Sequence, residues 1–231
     1  LDELRVGETC RFRVEIRQFD GSALGPNEVA LSHTKKIHLL AIDPSLDDYL
    51  HLHPQPDVTF PGVWNFALTP AKAGQYRVFL DFIPLRSPRR VLLSTGFEVV
   101  GESDVSSPKH SNIALREGYS FSAKSTTGSL MAGQESVLRL EVLAPTGQSA
   151  VLQPVMGAFA HLVAFDVQRR GFAHLHPKEN LNPVEGRQTH SAPLSFGFRP
   201  PVPGHYRLWA QVRIADKEIF APFDLKVDAP S

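Results

Sequence analysis

Cys10, Phe12, Val14 and Ile16 alternate with Arg11, Arg13 and Glu15, the period-two rhythm of a strand with one buried face. Ser136, Leu138, Leu140 and Val142 repeat that rhythm. Further strands are predicted at 36–43, 48–53, 62–68, 74–82 and 91–99, then at 158–166, 171–176, 192–198, 204–214 and 219–227. Pro, Gly, Asn and Asp separate them, and 19 Pro leave little room for long helices. No window carries a 3.6-residue apolar stripe. Short strands at regular spacing predict an all-β chain built as antiparallel β-sandwich.

The strand pattern occurs twice. At a constant offset of 123 positions, Lys36 to Pro54 (KIHLLAIDPSLDDYLHLHP) and Phe159 to Pro177 (FAHLVAFDVQRRGFAHLHP) are identical at 8 of 19 residues. Gly7-Glu8 through Ile16 matches Gly133-Gln134 through Val142, and Pro70, Gly74, Tyr76 and Arg77 match Pro200, Gly204, Tyr206 and Arg207. Each Gly-x-Tyr opens an alternating strand, as the tyrosine corner of a Greek-key sandwich does. The segment GESDVSSPKHSN between the copies lacks apolar periodicity and reads as a linker. The expected division is therefore a first sandwich over 1–103, a linker over 104–111 and a second sandwich over 112–231. Each copy is long enough to bury its own core.

Composition then excludes several functions. Lys+Arg and Asp+Glu balance at 24 each, so the chain lacks the basic field that gripping nucleic acid requires. No run of 18 apolar residues occurs, and no membrane span is expected. A single Cys precludes an intrachain disulfide and a four-Cys zinc site. The residue that stands out is His: of ten, all but His110, His190 and His205 lie in or just before the repeated segment.

Suppose strand 36–43 pairs antiparallel with strand 48–53 across the loop from Pro44 to Asp47. Asp43 then faces Asp48, Leu40 faces His51 and His38 faces His53. His38, His51 and His53 share one face with Cβ atoms roughly 4.5–8 Å apart. Neutral imidazoles at that spacing can share one ion at about 2.0–2.1 Å per bond. In the second copy the same count pairs Asp166 with Gly171 and His161 with His176, with His174 alongside. A slip of one residue would turn His38 to the opposite face. The other reading is that the imidazoles only pack the hairpin, hydrogen-bonded to one another or to backbone.

The offset also aligns His33 with Met156. Imidazole and thioether share metal ligation, of copper in particular. His33 and His38 are five apart and face opposite ways on a regular strand, so a bulge or loop must intervene, with Gly157 its candidate in the second copy. Asp43 and Asp166 have the wrong parity to orient His38 or His161 and read as turn formers. His190 opens a strand that could reach the second site, His205 reads as solvent-facing, and His110 lies in the linker. Cys10 reads as buried and inert, and Arg86, Arg89 and Arg90 as a solvated loop.

HLLAID…YLHLHP and, more strongly, VMGAFAHLVAFD…GFAHLHP resemble a family of secreted bacterial β-sandwich proteins described as YtkA-like or cupredoxin-like. There a Met-Gly-x-x-x-His strand precedes a Phe-x-His-x-His-Pro strand, and GQYRVFLDF and GHYRLWAQV look like its Gly-x-Tyr-Arg strand. The resemblance implies two tandem immunoglobulin/cupredoxin-like sandwiches, and a non-enzymatic, periplasmic or secreted protein that handles metal, often copper. It implies Met156, His161, His174 and His176 as ligands in the second copy and His38, His51 and His53 in the first, where His33 replaces the Met. The chain opens at Leu1-Asp2 without a signal sequence, as a trimmed exported protein would.

The expected role is binding of copper, with zinc possible, for storage, delivery or resistance, together with a protein partner for delivery. A thioether selects Cu(I), whereas three imidazoles suit Cu(II) or Zn(II) equally. Blue-copper electron transfer is disfavoured because it needs a Cys thiolate. The alternative is a structural or adhesive sandwich pair working through partner contacts. No Gly-rich phosphate loop, G-x-S-x-G or H-E-x-x-H occurs, and no general base accompanies the histidines.

Overall fold

The computed structural model describes residues 3–87, 89–102, 111–179, 181, 183–184, 186 and 188–230. The chain divides into two compact units, Leu1–Pro108 and Lys109–Ser231. The expected linker, with His110, lies outside the described residues except for Ser111, whose carbonyl accepts from the Asp224 amide of the second unit at 2.8 Å.

The first unit contains β1 (Leu4–Arg5), β2 (Cys10–Glu15), β3 (Ile37–Ile42), β4 (Tyr49–Leu52), β5 (Gln55–Pro56), β6 (Val63–Leu68), β7 (Gly74–Phe82) and β8 (Val91–Val100). They form a five-stranded sheet in the order β1-β8-β7-β3-β4 and a three-stranded sheet in the order β2-β6-β5. The second unit contains β9 (Ile113–Arg116), β10 (Tyr119–Ser125), β11 (Leu130–Met131), β12 (Ser136–Leu143), β13 (Ala160–Asp166), β14 (Phe172–Leu175), β15 (Leu194–Phe198), β16 (Gly204–Ile214) and β17 (Lys217–Asp228). Its five-stranded sheet runs β11-β17-β16-β13-β14, strand for strand the order of the first unit, and its second sheet runs β15-β12-β10-β9. The protein is all-β, two sandwiches in tandem. Among the described residues the one helical element is a 3₁₀ turn at Pro26–Glu28, and no helix is long and apolar enough to cross a membrane.

Two pairings depart from the expected antiparallel pattern. The two-residue strands β1 and β11 run parallel to β8 and β17, where they cover what would otherwise be open sheet edges.

Each core lies on one face of its five-stranded sheet. Ile37, Leu39 and Ala41 of β3 meet Tyr76, Val78, Leu80 and Phe82 of β7 there. Trp64 packs in the same core and donates its Nε1–H to the Leu24 carbonyl at 3.1 Å. In the second unit Ala160, Leu162 and Ala164 of β13 meet Leu208, Ala210 and Val212 of β16. Alternation therefore sends His38 and His161 to the opposite face. The tyrosine corners are present: the Tyr76 hydroxyl accepts the Lys72 amide at 3.2 Å and lies 3.1 Å from the Lys72 carbonyl, and Tyr206 donates to the Val202 carbonyl at 2.9 Å.

Candidate metal centres

β3 and β4 pair with Leu39 opposite Leu52 and Leu40 opposite His51. Continuing that register sets His38 opposite His53, as expected. β13 and β14 pair with Val163 opposite His174 and Leu162 opposite Leu175, which sets His161 opposite His176. His38, His51 and His53 converge, with ring centroids 5.3 Å (His38–His51), 5.0 Å (His38–His53) and 4.9 Å (His51–His53) apart. The second triad repeats this at 5.2, 4.9 and 4.6 Å. In each triad one potential ligand atom per residue lies within 4.8 Å of the other two.

A tight turn orients the first imidazole of each set. Ser32 and Lys35 exchange backbone hydrogen bonds of 2.8 and 3.0 Å around His33 and Thr34, both at positive φ (48° and 66°). Val155 and Ala158 do the same at 2.7 and 3.1 Å around Met156 and Gly157, at φ 50° and 77°. This is the two-residue hairpin geometry that requires positive φ at both central positions. The Ser32 carbonyl then meets His38 Nε2 at 2.9 Å, and the Val155 carbonyl meets His161 Nε2 at 2.9 Å. A carbonyl only accepts, so Nε2 carries the proton, and Nδ1 of the neutral ring carries the lone pair. That lone pair faces His51 Nε2 at 3.1 Å in the first unit and His174 Nε2 at 3.2 Å in the second. Two ligands on one tetrahedral ion at 2.0–2.1 Å stand roughly 3.3 Å apart, so the pair is already at ligating separation.

Two rings of the first triad, His38 and His53, favour the uncharged form. Burial lowers the pKa of His53 to about 3, with the charges of His51, His38 and Lys35 adding to the effect. Burial likewise lowers the pKa of His38, against the hydrogen bond to Ser32, which raises it. His53 Nε2 is buried with no hydrogen-bond partner. A buried imidazole nitrogen without a partner is costly in a purely structural histidine, and a metal ion satisfies it. The residues therefore fit a transition-metal ion bound by three imidazoles.

His33 is half-buried, with its ring 6.1 Å from that of His38, and stands outside the triad's mutual spacing. Burial and the charges of His38 and Arg90 lower its pKa. Met156 holds the equivalent turn position and is 4% exposed. The bulge or loop expected between His33 and His38 is this tight turn. His190 stacks on Phe159 with centroids 5.2 Å apart and does not join the second triad. Asp43 accepts from the backbone amides of Ser45, Asp47 and Asp48, and Asp166 accepts from Arg170; both shape turns. His205 is exposed, and Cys10 is half-buried rather than buried.

Sequence reasoning missed the groups one strand further in. Asp81 of β7 pairs with His38 and is 3% exposed. Arg90, read as solvated, forks onto its two oxygens. In the second unit Gln211 pairs with His161 and donates to Glu218 at 2.7 Å. A charged residue among the apolar ones of GQYRVFLDF was the available signal.

Solved structures with similar strand packing include Salmonella alpha-2-macroglobulin (14% identity over 98% of this chain and 14% of that one, TM-score 0.32). The Escherichia coli adhesin FdeC matches at 14% identity over 99% and 62% (TM-score 0.30), and the fibronectin(III)-like modules of Clostridium thermocellum CbhA at 11% over 98% and 89% (TM-score 0.25). The chain spans only about a seventh of that alpha-2-macroglobulin, and likeness this low leaves function to be read from the site. No curated protein sequence matches. A family match does extend over residues 1–92 and 114–229, most of both copies, and the chain belongs to the family described as a domain of unknown function, DUF8832.

Proposed function

We propose that the protein is an exported metal-binding protein that holds one copper ion in each domain, for storage, delivery or resistance. The observation that carries this reading is the lone-pair geometry. In each unit a backbone carbonyl fixes the proton of the first imidazole on Nε2 and leaves Nδ1 facing a second imidazole nitrogen at 3.1 or 3.2 Å. Metal-ligating histidines are oriented in this way by their second nitrogen. Copper is favoured over zinc because Met156 follows Val155, whose carbonyl holds His161, and a thioether is a copper ligand. A binding role is favoured over catalysis. The carboxylate beside the first triad, Asp81, is engaged by Arg90, and the equivalent group in the second, Gln211, is uncharged; neither is suited to taking a proton from a metal-bound water. Export and a delivery partner follow from the resemblance to YtkA-like proteins.

Titration with Cu(I), Cu(II) and Zn(II) tests the reading. Two equivalents of metal are expected for the unsubstituted chain and none bound tightly when His53→Ala and His176→Ala are combined. Absent binding, or binding unaltered by the double substitution, favours an adhesive or structural sandwich whose histidines only pack the hairpins.

A further inference from the structure

The two triads match in geometry and differ in what surrounds them. In the first, the turn residue following the carbonyl that fixes His38 is an imidazole, His33, its ring 6.1 Å from that of His38; in the second, the residue at the same position is a thioether, Met156. The cross-strand neighbour of His38 is a buried carboxylate, Asp81, and that of His161 is a buried amide, Gln211. Resting on the reading of the triads as metal centres, we propose that the two are not equivalent: the first, completed by His33 with Asp81 alongside, takes a divalent ion, and the second, completed by Met156 with Gln211 alongside, takes Cu(I).

Three observations support it. Thioether sulfur selects Cu(I), whereas a fourth imidazole suits Cu(II) or Zn(II). The strand neighbour of the first centre is a carboxylate, Asp81, paired with Arg90, whereas that of the second is the neutral amide Gln211. Finally, the same two-residue turn holds His33 and Met156 in the same backbone conformation, φ 48° and 50°, next to the carbonyl that fixes the first imidazole.

The experiment uses the intact chain with one centre disabled at a time. His53→Ala leaves the second centre and His176→Ala leaves the first. Cu(I) and Zn(II) affinities are measured by competition with a chromophoric chelator, with circular dichroism confirming the fold. The preference for Cu(I) over Zn(II) is expected to be about tenfold or more greater in the His53→Ala chain. His33→Met should raise that preference in the His176→Ala chain, and Met156→His should lower it in the His53→Ala chain. The same partition reads without any substitution: with one equivalent each of Cu(I) and Zn(II) on the native chain, X-ray absorption should show a sulfur neighbour at the copper edge and only nitrogen or oxygen at the zinc edge. Equal preferences in the two chains, or no sulfur at copper, overturn the inequivalence while leaving metal binding intact. Failure of the native chain to bind either ion overturns the reading on which it rests.

Discussion

His38 and Ser32 are joined across a two-residue turn, with His38 Nε2–H donating to the Ser32 carbonyl at 2.9 Å, and His161 and Val155 repeat the bond at 2.9 Å. The bond links local backbone to site chemistry. The turn aims the carbonyl, the carbonyl fixes the tautomer, and the tautomer presents Nδ1 to the neighbouring imidazole. His38→Gln keeps a donor for the carbonyl and removes the ligand. It should abolish one of two metal equivalents, and His161→Gln the other, each by more than the ~10–100-fold typical of losing an outer-shell partner. Calorimetric stoichiometry checks this.

The same turn is strained unequally in the two copies. Thr34 sits at φ 66° where its counterpart Gly157 sits at φ 77°, and a β-branched residue there is an outlier. Thr34→Gly should stabilise the first domain by about 0.5–1 kcal/mol, the relief of left-handed strain less the entropy cost of Gly. Gly157→Thr should destabilise the second by about 1–2 kcal/mol. Each domain has one tryptophan, Trp64 and Trp209. Urea unfolding of chains carrying Trp209→Phe or Trp64→Phe therefore reports the two domains separately.

Acid should weaken the metal-free first domain. His33, His38 and His53 all have pKa values below the ordinary 6.5, with burial the first cause, and that of His53 falls to about 3. Above about 6.5 both folded and unfolded chains carry these rings neutral, and stability is full. Between 6.5 and about 3 the unfolded chain binds more protons than the folded one, so stability falls as pH falls. The urea midpoint read by Trp64 should decline from about pH 7 to about pH 4, and His53→Leu should flatten part of that slope. A flat profile would show that the rings do not stay neutral in the fold.

The tyrosine corners should differ in weight. Tyr76 donates its one hydroxyl proton to the buried carboxylate of Asp48, which also accepts the Ala71 amide at 2.6 Å, and its oxygen accepts the Lys72 amide at 3.2 Å. Among the described residues the Tyr206 hydroxyl is partnered by the Val202 backbone alone, because Gly171 aligns with Asp48. Tyr76→Phe leaves a buried charged acceptor short of a donor and should cost about 1–3 kcal/mol, against about 1 kcal/mol for Tyr206→Phe. Thermal or urea unfolding of each variant measures the difference.

The strands and the hairpin register were legible because period-two alternation ties every side chain to a face. The histidines could then be placed by counting from Asp43 and Asp48. β9 and β10 were missed: within Tyr119–Ser125 only Phe121 and Ala123 are buried apolar residues, too faint an alternation to stand out. The turn at His33 and Thr34 was hidden because neither residue advertises positive φ, whereas Gly157 does. Asp81 and Arg90 were out of reach for a different reason. They meet His38 through pairing of β3 with β7 and β7 with β8, contacts between segments distant along the chain that no local pattern encodes.

Anomalous diffraction at the metal edge, from crystals of the native chain grown with copper, tests the central claim most directly. Two peaks are expected, one about 2.0–2.1 Å from Nδ1 of His38 with His51 and His53 completing the triad, the other at the same distance from Nδ1 of His161 with His174 and His176. A map with no peak at either triad, or with copper bound elsewhere and the His38–His51 and His161–His174 contacts left closed, would contradict it.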